Sequence, residues 1–202
     1  MPTDRYLTLA SESEGIYREK ASKFIAYAFP IGDEEAFTLR CATIAKEHHT
    51  CRHVCYAWVL GEQGERYRSN DAGEPAGTAG KPLLRQLQGA NITFAGIVVV
   101  RYFGGTLLGK GGLVHAYAEA AREALAKNTI IEKMLRSTIH IACPYSIVEA
   151  IKNDVIKSGG EVLNAEYGEP CMLMVTVARD RSIAFSEKWI LAGARVGAVQ
   201  AK

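Results

Sequence analysis

The last third of the chain changes its apolar period in an order that admits few folds. Thr138 to Cys143 alternates, with Ile139, Ile141 and Cys143 on one face and Thr138, His140 and Ala142 on the other, the pattern of a half-buried strand. Tyr145 to Lys157 then places Ile147, Val148, Ile151 and Val155 on one helical stripe, and Ser158-Gly159-Gly160 ends it with a left-handed glycine cap. Leu163, Ala165 and Tyr167 alternate with Asn164 and Glu166, and Tyr167-Gly-Glu-Pro170 turns the chain. Cys171 to Val177 is almost wholly apolar, as a central strand is. Asp180 is placed to cap a helix reaching Leu191, Gly193 follows it, and Arg195–Gln200 supplies a last strand. The order is βαββαβ, the ferredoxin-like plan.

The first two-thirds is more irregular. Strands are expected at Lys23–Phe29, His53–Leu60, Tyr67–Ser69 and Thr93–Tyr102. Asp33, Glu34 and Glu35 start a helix running to Glu47 that buries Phe37, Cys41, Ile44 and Ala45. A short helix spans Lys81–Gln88 with Pro82 in its first turn, and a long one runs from Gly111 to Lys127. The helical pattern has ended by Lys133 and a new alternation begins at Ser137. The expectation is therefore an α+β protein with domains at 1–133 and 137–202.

Composition supports packed domains. The chain has 202 residues, 48% of them hydrophobic and 23% charged, which is far from a disordered composition. No apolar run approaches the roughly 18 residues of a membrane span. The N-terminus lacks the basic, apolar and small-residue series of a secretory signal. Five scattered cysteines do not make a disulfide framework, so the expected location is the reducing cytoplasm. The net charge of +2 hides a local bias: residues 75–118 hold no Asp or Glu, but carry Lys81, Arg85, Arg101 and Lys110. A locally positive surface suits phosphates, although buried segments also omit acids.

Two segments carry more chemistry than a fold requires. Ser69-Asn-Asp-Ala-Gly-Glu-Pro-Ala-Gly-Thr-Ala-Gly80 is a loop with the carboxylates of Asp71 and Glu74 and the hydroxyls of Ser69 and Thr78. Arg101-Tyr-Phe-Gly-Gly-Thr-Leu-Leu-Gly-Lys-Gly-Gly-Leu113 leaves a strand and opens a helix. Glycine lets backbone approach a ligand, and a helix start presents unpaired N–H donors to an anion. The candidate anion-binding set is Ser69, Asp71, Glu74, Gly77, Thr78, Arg101, Tyr102, Gly104, Gly105, Lys110, Gly111 and Gly112. Neither GxGxxG nor GxxxxGK[ST] is matched, so no nucleotide fold is diagnosed.

These segments resemble the IMPACT family in its bacterial, YigZ-type form. The matching pieces are Lys20-Ala-Ser-Lys-Phe24, His53-Val-Cys-Tyr-Ala57, the loop from Asp71 to Gly80, and Val98-Val-Val-Arg-Tyr-Phe-Gly-Gly105 continuing through Leu108–Leu113 to Tyr117. The family's loop usually reads Asp-Asp-Gly-Glu-Pro, whereas Ala72 stands at its second position here. The resemblance implies an N-terminal fold like domain IV of elongation factor G and a small-subunit ribosomal protein, a βα fold, followed by a ferredoxin-like domain. It also implies a link to translation. The extra N-terminal domain of eukaryotic members, which binds a translation-control partner, does not carry over.

Three functions compete at this level. A non-catalytic binding protein for RNA or a ribosome-associated component would use the basic window and Tyr102, Phe103 and Tyr117, with Tyr117 also on the apolar helix stripe. A small enzyme would use Asp71, Glu74 and His53 as acid–base groups on a phosphate- or carboxylate-bearing substrate. A metal site would draw on Cys51, His53 and Cys55, which would share one strand face, with His48 and His49 nearby. The spacing of a structural zinc site is absent, and no cofactor or metal is expected.

Overall fold

The computed structural model describes residues 4–197, 200 and 201. The described residues divide into two compact units, one of Tyr6–Lys133 and one formed from Met134 onward together with Asp4 and Arg5.

The first unit is a three-layer sandwich. Its elements are β1 (Arg5–Leu9), β2 (Ser13–Glu19), β3 (Ser22–Pro30), α1 (Glu34–Glu47), β4 (His53–Leu60), β5 (Arg66–Asn70), α2 (Gly80–Gly89), β6 (Ala95–Tyr102), α3 (Gly109–Ala126) and β7 (Ile130–Met134). The main sheet has the order β2-β3-β6-β4-β5 with every neighbour antiparallel, and β1 pairs separately with β7. Strand alternation sends one residue set to each face. Phe24, Ala26, Ala28, Cys55, Ala57, Val59, Ile97 and Val99 join α2 and α3 in one core. Ile25, Phe29, Trp58, Leu60, Val98 and Val100 join Phe37 and Ile44 of α1 in the other. The apolar run Ile97–Val100 is thus a central strand covered on both sides.

Small residues let α3 lie close to the sheet. Ala116, Ala120, Ala121 and Ala124 are all fully buried, and a Cβ on Gly15 of β2 would stand 2.3 Å from the Ala124 nitrogen. In α1, Asp33 caps the first turn by accepting from the Ala36 N–H, while Cys41 and Ala45 are only half-buried beside Phe37 and Ile44.

The second unit contains β8 (Arg136–Cys143), α4 (Tyr145–Lys157), β9 (Glu161–Glu166), β10 (Cys171–Ala178), a 3₁₀ turn at Arg179–Arg181, α5 (Ser182–Leu191), β11 (Arg195–Val196) and β12 (Gln200–Ala201). The sheet order is β11-β8-β10-β9, all antiparallel, with β12 also pairing β8. Val148, Ile151 and Val155 of α4 meet Phe185 and Trp189 of α5 over Ile139, Ile141, Leu173 and Val175.

Three expectations for this unit change. Leu163 is exposed, because the pairing of β9 with β10 shifts between Met174 and Val175, so that Val162 and Ala165 face the core; Tyr167 lies beyond the end of β9 and is also exposed. A bulge of this kind takes one residue out of the ladder and moves its neighbours to the opposite face. Asp180 lies in the 3₁₀ turn and α5 begins after Arg181 without a side-chain cap. The expected strand Arg195–Gln200 is two short pieces, and residues 198 and 199 between them lie outside the described residues. No described helix is long and apolar enough to cross a membrane.

Candidate functional site

The two glycine-rich segments meet at one end of the first unit's sheet. Strand register sets this end: Phe24 and His53 both pair with Arg101, and Lys23 pairs with Tyr102. The loop after β5 reaches it because the Ala72 carbonyl bonds His53 Nδ1 at 2.8 Å and Gly73 packs on the same ring. The segment after β6 is fastened to it by Gly104, whose N–H donates to Ser22 Oγ at 3.2 Å. A Cβ on Gly104 would lie 2.2 Å from the Ala21 backbone, so only glycine fits there.

Beneath the loops is a buried polar node. Glu74 Oε1 accepts from Arg101 Nη1 at 2.7 Å and from the Tyr117 hydroxyl at 2.9 Å. Glu74 is 8% exposed, Arg101 6%, and Tyr117 not at all. The Arg101 guanidinium lies between the rings of Phe24 and Phe103, at 5.5 and 5.4 Å from their centroids. Its Nε is buried without a hydrogen-bond partner. Cys55 Sγ sits 3.1 Å from the Asp71 carbonyl and 3.3 Å from the Tyr117 hydroxyl, so its single proton serves one of the two. Burial pushes the Cys55 thiol up to about 12; the Tyr117 hydrogen bond opposes this, and the Glu74 and Asp71 charges reinforce it. Burial, then Cys55 and Glu74, also raise the Tyr117 phenol. A thiol so held is no nucleophile at neutral pH.

The Asp71 loop is an anion nest whose anion is part of the chain. Asp71 Oδ2 accepts from the Gly77 N–H at 2.8 Å, and Oδ1 accepts from Ala79 and Gly80 at 2.9 and 2.8 Å, at the start of α2. Burial raises the Asp71 carboxyl, but these three donors and the Lys81 charge outweigh it and hold the carboxyl below its ordinary value. Thr78 is buried and donates to the Pro75 carbonyl, and Ser69 lies on β5 opposite Ala57. Gly77 supplies a left-handed turn with φ of 77°.

The expected site residues therefore separate. Arg101, Glu74 and Thr78 are interior, Gly104 is half-buried against the Ala21 backbone, and Asp71 is committed to backbone donors. Arg101 does not face an exposed anion surface, because its charge is neutralised by Glu74 from the facing loop. Asp71, Glu74 and His53, the candidate acid–base groups, each hold an internal hydrogen-bond partner: backbone N–H groups for Asp71, Arg101 and Tyr117 for Glu74, and the Ala72 carbonyl for His53. Tyr102 is half-buried and bonds His48 Nδ1 at 2.8 Å, while His48 Nε2 bonds the Tyr27 hydroxyl at 2.7 Å. Cys51 packs with the α1 core and Cys55 with the opposite one, so Cys51, His53 and Cys55 do not share a face. Among the described residues no group of three or more His, Cys, Asp or Glu is arranged to hold a metal ion.

What remains outside is the start of α3 and the turn beside it. The helix begins at Gly109, earlier than its sequence suggests, which places Lys110 inside the first turn; no side chain caps it and the turn holds no acid. Gly105, Lys110 and Gly111 are exposed and Gly112 is half-exposed; Phe103 and Leu107 are 49% and 82% exposed. The tight turn Lys20-Ala21 between β2 and β3, half-buried Lys23 and exposed Arg52 lie at the same sheet end. These three basic residues escape a reading of the 75–118 charge window. Only the register of β3 and β4 against β6 brings them in, although two of them lie in the Lys20–Phe24 segment.

A three-layer α/β unit with these two interlocked glycine loops is the class of protein that the fold and site define, and residues 20–125 match the family model described as the Impact N-terminal domain. The chain belongs to the IMPACT family. It is similar to the IMPACT family member YigZ of Escherichia coli (strain K12), with 36% identity over 84% of this chain and 84% of that protein. It is 32% identical to the IMPACT family member YvyE of Bacillus subtilis (strain 168), over 90% of this chain and 84% of the relative. A solved structure described as "Crystal structure of an hypothetical protein" covers 97% of this chain and 98% of its own, with 32% identity and a TM-score of 0.78.

Proposed function

We propose that the chain is a non-catalytic binding protein for RNA, acting on the translation apparatus through the loop end of the first unit. One observation carries the reading: the two carboxylates of the Asp71–Gly80 loop are consumed inside the fold, one by three N–H donors and one by Arg101 and Tyr117. The charge left to this end comes from Lys20, Lys23, Arg52 and Lys110, around a helix start whose N–H groups have no side-chain cap. Glu19, the acid next to this turn, accepts from the Tyr17 hydroxyl. Lysines and an open helix N-terminus recognise phosphate, and the exposed Phe103 ring offers a stacking surface for an unpaired base.

The fold reading points the same way. The first unit is read, from the family resemblance, as the βα fold of elongation factor G domain IV and a small-subunit ribosomal protein, both of them proteins of translation. The second is read as ferredoxin-like from its βαββαβ order. The chain is read as cytoplasmic.

The test is direct binding of a fluorescent single-stranded RNA oligonucleotide, followed by anisotropy, beside a lysate pull-down with and without ribonuclease. Saturable binding and ribonuclease-sensitive recovery are expected. No binding at low salt would overturn the reading.

A further inference from the structure

The second unit contains a pair of thiols that the reading above does not use. Cys143 ends β8 and Cys171 begins β10, and the two are direct partners in the antiparallel ladder. Both belong to the same core and are 1% exposed, so their side chains leave the sheet on the same face. Directly opposed residues in an antiparallel pair have Cα atoms about 4.5 or 5.5 Å apart, and both values fall within the range that a disulfide bridges. Both cysteines are free thiols. The other three are placed differently: Cys55 faces Val99, Cys41 is on α1, and Cys51 precedes β4.

The pair also closes its ladder. Beyond it lie Pro144 and the start of α4 on one strand and the turn Tyr167–Pro170 on the other. The Cys171 thiol donates to the Gly168 carbonyl of that turn at 3.3 Å. Ladder ends open more readily than ladder centres, which gives a small reagent access to otherwise buried sulfur.

We propose that Cys143 and Cys171 are an oxidative modification site, a dithiol that a small disulfide such as oxidised glutathione converts to a cross-strand disulfide. One protein thiolate attacks a sulfur of the oxidant, giving a mixed disulfide and releasing one small thiolate. The second protein thiolate attacks the protein sulfur of that mixed disulfide, forming the Cys143–Cys171 bond and releasing the second. Two electrons pass to the oxidant, and the two cysteine protons end on the two released thiols. The product ties the start of α4 to the turn before β10. Burial and the neighbouring Cys171 push the Cys143 thiol up, so the exchange quickens in mildly alkaline solution.

The experiment uses the full chain, exposed to oxidised glutathione at about pH 8.5, near the ordinary thiol value. The expected result is an intact mass lighter by two hydrogens and a fall in thiols titrated under denaturing conditions from five to three. Peptide mapping should join the Cys143 and Cys171 peptides, and the oxidised chain should unfold at higher urea than the reduced one. Cys143→Ala and Cys171→Ala should each abolish the mass loss. Persistence of all five thiols, a reaction that stops at the mixed disulfide, or a bridge between Cys41 and Cys51 would each overturn the proposal.

Discussion

Glu74 and Arg101 stand 27 residues apart in the chain and close on each other at 2.7 Å inside the end of the sheet. Removing one partner strands the other's charge in the interior. Glu74→Ala is expected to lower the free energy of unfolding by about 3–5 kcal/mol in urea titration. The double change Glu74→Leu with Arg101→Met, which removes both charges, should recover most of that loss. A cost for Glu74→Ala of less than about 1 kcal/mol, as for an exposed ion pair, would contradict the burial described.

Asp71 gives the protein an acid-sensitive joint. Its carboxyl titrates lower in the folded chain than its ordinary value of 3.8. The stabilisation is therefore present in full above that value and declines as pH falls through the folded value, where the unfolded chain binds the proton first. Asp71→Asn should lower the melting temperature at neutral pH and flatten the acid limb of the stability curve. Parallel acid limbs for the two proteins would show that the three N–H donors do not act on the charge.

Much of the architecture was legible because it rests on local pattern. The strand expected at His53–Leu60 and the helical stripe in Tyr145–Lys157 match elements with those same bounds. β1, β2 and β7 were missed because they carry Arg5, Glu14, Arg18, Glu132 and Lys133 among few core residues; pairing of β2 with β3 and of β1 with β7 makes them strands. Leu163 was misplaced because a bulge is a property of two strands and one strand's alternation does not encode it. The candidate site was legible as a place but not as a set of roles. Sequence shows that Arg101 is basic and Glu74 acidic, yet whether they face solvent or each other depends on folding β6 against a loop that precedes it.

Cys55 should make stability fall in alkali. Its thiol is held near 12 in the folded chain against an ordinary 9.0, so its contribution is complete below 9 and is lost as pH rises towards 12, where only the unfolded chain ionises. The loss approaches about 1.4 kcal/mol for each pH unit in that window. Cys55→Ala should flatten the slope between those limits in pH-dependent urea titrations. A slope unchanged by Cys55→Ala would assign the alkaline loss to other groups.

Gly104 and Gly111 separate structural glycine from surface glycine in one segment. A Cβ at Gly104 meets Ala21 backbone at 2.2 Å, whereas nothing lies within 4 Å of one at Gly111. Gly104→Ala should lose several kcal/mol or fail to fold, as backbone clashes do. Gly111→Ala, within the first turn of α3, should be neutral or raise stability by up to about 1 kcal/mol, because alanine is the better helix former. Thermal melts of the two variants side by side decide this, and equal losses would place Gly111 in the core.

The RNA reading makes a quantitative demand on salt dependence. Each lysine or arginine that neutralises a phosphate of a single strand contributes about 0.7 to the slope of log affinity against log salt. Lys20→Ala, Arg52→Ala and Lys110→Ala, all at exposed positions, should each flatten the slope by about that amount and leave the melting temperature nearly unchanged. Phe103→Ala should act differently. It removes a ring and no exposed charge, so affinity should fall while the slope stays the same, although the loss of contact with Arg101 should also lower stability modestly. Arg101→Ala should destabilise the fold at any salt concentration, since its charge is already matched by Glu74. If Lys20, Arg52 and Lys110 leave the slope untouched while lysines of the second unit such as Lys152 change it, the basic end of the sheet is not where RNA binds.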